Sequence, residues 1–310
     1  MKNLKIFATQ SDYEAYIADK PILPNVSYIK SEESVGYAPK YEPFYIEAVE
    51  ELRVQFYGND LQYSLDNATW NTLPNGAETP TIRAGEKVYF KAEGLVPEHL
   101  KGIGTFTITS RCNVGGNILS LLFGDYAYRQ SLVGYDSAFT KLLERTPVVD
   151  ASSLLLPSDY LSDYCYKELF SRCDDLLYAP ELPAMHLAGW CYEETYAYCS
   201  NLVKPSELPA KVLVNYCYEG MYAHSTNLKV APILSAETLA EGCYMSMFNS
   251  CNQLNAITMT AKNNLEARWA LSNWVSLVSS SGTFVKAAGA NIPTGESGIP
   301  SGWTIEEVAV

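Results

Sequence analysis

From Cys165 to Cys251 the chain repeats itself, and that repetition limits its fold more than any other feature. The pairs Cys165-Tyr166, Cys191-Tyr192, Cys217-Tyr218 and Cys243-Tyr244 follow one another at one constant interval. Five positions after each cysteine comes an aromatic residue: Phe170, Tyr196, Tyr222 or Phe248. Eight positions after comes Cys173, Cys199, Ser225 or Cys251, and eleven after comes Leu176, Leu202, Leu228 or Leu254. Leu182, Leu208 and Leu234 keep the same period, as do Leu187, Leu213 and Leu239. A unit this short cannot enclose a core of its own, so its apolar face must be covered by the next copy.

Each copy divides in two. Leu187, Cys191, Thr195/Tyr196 and Cys199 fall at steps near four, which predicts one face of a helix of about three turns. The following Leu202–Pro209 is too rich in proline for a helix and predicts a short extended segment. The expected unit is therefore a helix plus a short strand. Two cysteines eight residues apart on one helix stand about 12 Å apart, too far for a disulfide. The eight cysteines are thus expected to be small buried hydrophobes. No C-x₂-C pair or histidine cluster suggests a metal, and none is expected.

Leu176-Leu-Tyr-Ala-Pro-Glu-Leu-Pro183 and Tyr196-Ala-Tyr-Cys199-Ser-Asn-Leu202 resemble the BspA-like leucine-rich repeats of bacterial surface proteins. The resemblance covers about residues 138–262. It implies a parallel stack of short strands backed by helices, and a binding role without catalysis. The expected fold class is α+β: a leucine-rich-repeat-like solenoid, helix plus short strand per 26-residue repeat, preceded by an all-β sandwich.

Four segments are expected. Residues 1–41 form a leading module, with a helix over 12–19 suggested by the capping-box spacing of Ser11 and Glu14, and a hairpin pairing 25–30 with 35–41. Residues 42–123 carry short alternating runs at 45–49, 52–57, 61–65, 79–83, 87–92 and 105–110, separated by turn residues, and predict an Ig-like sandwich. Gln62–Trp70 and Gly85–Phe90 are similar to sandwich modules that precede such repeats in Bacteroidetes-type surface and phage-like proteins. Residues 124–262 are the solenoid, the stretch 113–137 serving as the join. Ala138, Leu143 and Thr146 stand in a degenerate first copy where later copies have cysteine, aromatic and cysteine. Residues 263–310 form a cap, with a closing helix over 264–279.

The net charge of −13 argues against nucleic acid and against anionic lipid. No apolar run is long enough to span a membrane. The N-terminus lacks a signal-peptide core, so a cell-surface or extracellular location requires a leader absent from this sequence. His99, His186 and His224 sit in no catalytic motif, and no cofactor is expected. Two surfaces are candidates for binding. Tyr166, Tyr192, Tyr218 and Tyr244 recur in register, with Trp190 beside them. Each tyrosine lies about 100° round the predicted helix from a core cysteine. This ladder is either boundary packing or a row of aromatic contacts for a sugar or protein. On the strand side, Tyr178, Glu181, Lys204 and Glu207 alternate with core leucines and should point outward. The expected function is non-enzymatic recognition or adhesion, with a host or bacterial surface protein or glycan as partner. A virion component of a phage or prophage (tail or receptor-binding part) is the alternative, and a glycoside hydrolase with paired carboxylates a more distant one.

Overall fold

The computed structural model describes residues 42–97, 102–127 and 131–309. The helix and hairpin expected within 1–41 lie outside the described residues.

Seven strands come first: β1 (Phe44–Ala48), β2 (Val54–Gly58), β3 (Leu61–Ser64), β4 (Asn71–Leu73), β5 (Lys87–Ala92), β6 (Gly104–Ile108) and β7 (Cys112–Asn117). A four-residue helix α1 (Ser120–Phe123) and a 3-10 turn lead on to β8 (Val148–Leu155). The main sheet has the order β4-β3-β5-β1-β7-β8, and β2 pairs separately with β6. These two sheets share an aromatic centre. The Phe106 ring lies 4.7 Å from Phe56, 5.1 Å from Phe90 and 5.4 Å from Phe44. Burying rings of that size supplies the largest apolar area available to a small sheet pair.

The main sheet is mixed. Its first five strands pair antiparallel, but β7 pairs parallel with β8, which belongs to the first repeat. The expected self-standing all-β sandwich is therefore replaced by a sheet that runs on into the repeats. Gly115 and Gly116 make the crossing possible: a Cβ on Gly115 would overlap the Tyr45 ring, and Gly116 has φ +73.

The repeats correct the sequence reading more deeply. No helix forms in them, and α1 is the only α-helix among the described residues. A helix-plus-strand, leucine-rich-repeat solenoid is not what this sequence builds. Where helices were expected, the backbone forms a ribbon of successive tight turns with a left-handed residue at every fourth position. In one copy these are Tyr164 (φ +58), Glu168 (φ +53) and Arg172 (φ +62), and in the next Trp190, Glu194 and Tyr198.

The hydrogen bonds explain why this ribbon is stable. The N–H groups of Lys167, Leu169, Ser171 and Cys173 donate back to the carbonyls three residues earlier, at 3.1–3.2 Å. The intervening N–H groups donate to the next copy: Tyr166 to Cys191, Glu168 to Glu193, Phe170 to Thr195 and Arg172 to Ala197, at 2.8–2.9 Å. Carbonyls alternate in the same way, so the ribbon's buried backbone is paired along its length. A helix would keep all these bonds within one copy and leave none to join neighbours. Each left-handed residue costs about 1–2 kcal/mol, and the bonds between copies offset that.

After each ribbon the chain runs extended and touches the next copy through single parallel bridges. Asp150 pairs with Tyr178, Tyr178 with Lys204, and Val230 with Ala256. A second line joins Ser131, Tyr160 and His186, and then Val212, Thr238 and Asn263. The coils end on a parallel sheet of β9 (Ala256–Met259), β10 (Thr283–Ala287) and β11 (Thr304–Val308). The expected closing helix over 264–279 is also ribbon, with left-handed Asn264, Trp269, Asn273 and Leu277.

Both ends of the ribbon stack are partly capped. At the start, the N–H groups of Ile103 and Phe106 donate to the outward carbonyls of Ala138 and Leu142. At the finish, Val275 N–H donates to the Glu296 carbonyl, Asn273 N–H to Ser297 Oγ, and Trp274 Nε1–H to the Gly298 carbonyl. Open edges of this kind would otherwise pair with other chains.

Candidate binding site

Stacking coils in register turns each repeated residue into a column. Phe139, Tyr166, Tyr192, Tyr218 and Tyr244 form one, with successive ring centroids 5.6–6.1 Å apart. Phe170, Tyr196, Tyr222 and Phe248 form a second at 5.5–5.8 Å. Trp274 closes both. All of these rings are buried, so the tyrosine ladder Tyr166, Tyr192, Tyr218 and Tyr244 lies inside the core and not at the edge of an apolar stripe. It offers no surface to a sugar or a protein. The ribbon is responsible, because it turns two adjacent residues inward at each step where a helix would turn one.

The thiols fill the space beside these columns. All eight cysteines are buried and unpaired. Cys173 Sγ–H donates to the Leu143 carbonyl at 3.0 Å, Cys199 to Phe170 at 3.1 Å and Cys251 to Tyr222 at 2.9 Å. The Ser225 hydroxyl donates in the same way, to Tyr196 at 2.8 Å, and the Thr146 hydroxyl donates within its own coil, to Leu143 at 2.7 Å. The slot therefore requires a small side chain that can donate, which accounts for serine and threonine in it. Burial pushes the thiols of Cys165, Cys173, Cys243 and Cys251 up to about 12, and no thiolate is present for chemistry.

Trp190 is half-buried, its indole stacked 5.0 Å from Tyr164 on one face and 5.0 Å from Tyr216 on the other. With both faces covered, it cannot serve as a platform. Below this column run Glu193, Glu194 and Glu219, with Lys167 Nζ 2.9 Å from Glu193. Burial, followed by the charges of Glu193 and Glu194, pushes Glu219 up to about 7.

The other predicted residues, Tyr178, Glu181, Lys204 and Glu207, are all exposed, on the extended halves of two successive coils. Around them stand exposed apolar side chains that the sequence reading passed over: Val203, Val230 and Ile233. The available signal was the period itself, since Lys204 and Val230, and Glu207 and Ile233, are each one repeat apart. The bridges between coils fix this face to a continuous core.

Another column emerges from the left-handed ribbon positions. The Arg172 guanidinium lies 4.2 Å over the Tyr198 ring, whose other face stacks 4.3 Å from His224. With Arg145, Asp174 and Ser200 they line an open groove of about 320 Å³. His186 also joins an aromatic column, 4.0 Å from Tyr160. Each of these two histidines follows a tyrosine by one full period, a relation visible in the sequence.

Comparison with models of protein families, with curated proteins and with solved structures finds no match to this chain. Among the described residues no group of three or more His, Cys, Asp or Glu is arranged to hold a metal ion, and no helix is long and apolar enough to cross a membrane.

Proposed function

We propose that this chain is a non-enzymatic recognition protein that works through the exposed extended face of its stacked coils, with another protein as partner. The observation that carries this reading is the row of exposed apolar side chains, Tyr178, Val203, Val230 and Ile233, interleaved with Glu181, Lys204 and Glu207 on a rigid backbone. Apolar side chains grouped on one surface and edged by charge favour a protein partner over a purely polar ligand. The backbone beneath them is bridged from coil to coil, so little ordering cost attends binding. A cell-surface or extracellular site is part of the reading. Burial of all eight thiols is compatible with it, because unpaired cysteines survive an oxidising exterior only if reagents cannot reach them.

The test is an array of surface and matrix proteins probed with the full chain, followed by a variant combining Val203→Ser, Val230→Ser and Ile233→Ser. Partners captured by the parent and lost by the variant, at unchanged unfolding midpoint, support the reading. Capture that survives the triple change overturns it.

A further inference from the structure

The groove along the Arg172–Tyr198–His224 column lies on the ribbon half of the coils, apart from the face just described, and its chemistry is different. We infer that Arg172 and Arg145, with the Tyr198–His224 stack behind them, form a binding site for the carboxylate or sulfate groups of an acidic polysaccharide.

The chain carries −13 overall, yet among the described residues no carboxylate lies within salt-bridge distance of the Arg172 guanidinium. Most other arginines in this part of the chain have such a partner: Arg111 faces Asp175 at 3.6 Å, Arg145 faces Glu144 at 3.2 Å, and Arg268 faces Glu241 at 3.5 Å. Arg172 is exposed, and it is held in place from below. Its guanidinium rests flat on Tyr198, and Tyr198 rests on His224 with ring planes 3° apart. A fork immobilised in this way has already lost the rotamer freedom that binding would otherwise remove. Its free N–H edge suits a planar or tetrahedral oxyanion.

Arg145 stands one coil earlier at the same ribbon position, and its Glu144 partner is shared with Lys141 at 3.7 Å. The two arginines thus follow the stack axis about 5 Å apart, the spacing of neighbouring hydrogen-bonded strands. The groove is open along that line. Asp174 borders it, its Oδ1 accepting from Ser200 Oγ at 3.2 Å. That carboxylate repels an anion from one side and so directs it toward Arg145 and Arg172.

Other polyanions fit less well. A nucleic acid needs a free ring face for its bases, and both faces of Tyr198 are covered. An acidic peptide would gain most by adding a strand, but the ribbon's N–H and carbonyl groups are already paired with the coils on either side. A polysaccharide bearing spaced acidic groups needs neither a ring face nor a backbone edge.

The experiment is calorimetric titration of the full chain with oligogalacturonate and, separately, with sulfated dextran oligosaccharides, which distinguishes carboxylate from sulfate. Neutral dextran, polyglutamate and a single-stranded oligonucleotide are run beside them. At least one acidic oligosaccharide is expected to bind, and to weaken as salt rises. Arg172→Ala should lower its affinity at least tenfold, and Arg83→Ala, at an exposed arginine elsewhere, should leave it unchanged. Asp174→Asn should raise affinity severalfold, a gain that a damaged fold could not produce. The proposal is overturned if neither acidic oligosaccharide binds, if binding survives the double change Arg145→Ala/Arg172→Ala, or if polyglutamate or the oligonucleotide binds as tightly.

Discussion

Replacing Tyr166 by phenylalanine should stabilise this protein. The Tyr166 side chain is fully buried, its ring stacked 5.6 Å from Phe139 on one side and 5.6 Å from Tyr192 on the other. Its hydroxyl is one of three buried side-chain polar atoms without a hydrogen-bond partner among the described residues. Holding a hydroxyl in that condition costs about 1–3 kcal/mol. Removing one oxygen forfeits less packing than a methylene, itself worth about 0.8 kcal/mol. The column already accepts phenylalanine one coil earlier, at Phe139. The net expectation is a gain of about 1 kcal/mol. Tyr196 provides the contrast. It is equally buried, but its hydroxyl shares a 2.9 Å hydrogen bond with Ser206 Oγ, which in turn donates to the Pro180 carbonyl at 2.7 Å. Tyr196→Phe should cost about 1 kcal/mol, leaving the two variants about 2 kcal/mol apart in opposite directions. Urea unfolding followed by both circular dichroism and tryptophan fluorescence measures the difference, with coincident transitions and equal slopes required. If Tyr166→Phe lost as much stability as Tyr196→Phe, the hydroxyl would have a partner and the packing assigned to this column would be wrong.

Gly242 has φ +58 and sits where a Cβ would overlap the Tyr216 ring, whereas Gly289 has φ +77 over open space. Gly242→Ala should therefore cost about 2 kcal/mol or more and Gly289→Ala about 1 kcal/mol in urea unfolding; equal losses would contradict the ring's position. An aromatic disulfide reagent at about pH 8 should label none of the eight thiols in the folded protein and all of them in denaturant, and fast labelling of any one would refute its burial. Glu219, raised from 4.5 to about 7 chiefly by burial, favours the fold when protonated. That contribution is complete below about pH 4.5 and is lost as pH rises through about 7. Glu219→Gln should thus raise stability at about pH 8 by about 1 kcal/mol, a figure reduced for its half exposure, and leave it unchanged near pH 4.5; a variant that followed the parent at both ends would show that the carboxyl is not perturbed.

The repeat period was legible because it is the offset between rings that touch, from Tyr166–Tyr192 through Tyr218–Tyr244. The conformation within each copy was not. A left-handed residue at every fourth position spaces inward residues almost as a helix does, and a stretch as short as one ribbon cannot separate a period of about 4 from one of about 3.6. Tyrosine, glutamate and arginine at left-handed positions give no warning, since glycine and asparagine are the usual occupants. Gly220 and Gly242, both at such positions, were the available hint. In the leading sheets, the run 87–92 coincides with β5, while 79–83 contributes only a bridge from Ile82 to Leu52. β7 falls largely within the stretch 113–137 expected to be a join, and its Gly115 and Gly116 let the Tyr45 ring and the Pro43 carbonyl approach. Of the candidate surfaces, alternation with buried leucines revealed the exposed residues at 178–207. The groove at Arg172 was hidden, because its members meet only once the coils are laid one above another.

Each coil offers donors on one side and acceptors on the other, in the same order every time. Any internal copy can therefore follow any other, and the chain can be lengthened or shortened by whole copies without remaking a single register. Removing residues 191–216, or inserting them twice, should leave Phe106 and Trp274 each meeting a surface they already fit. Copy number then becomes a means of changing how long a partner the protein can span.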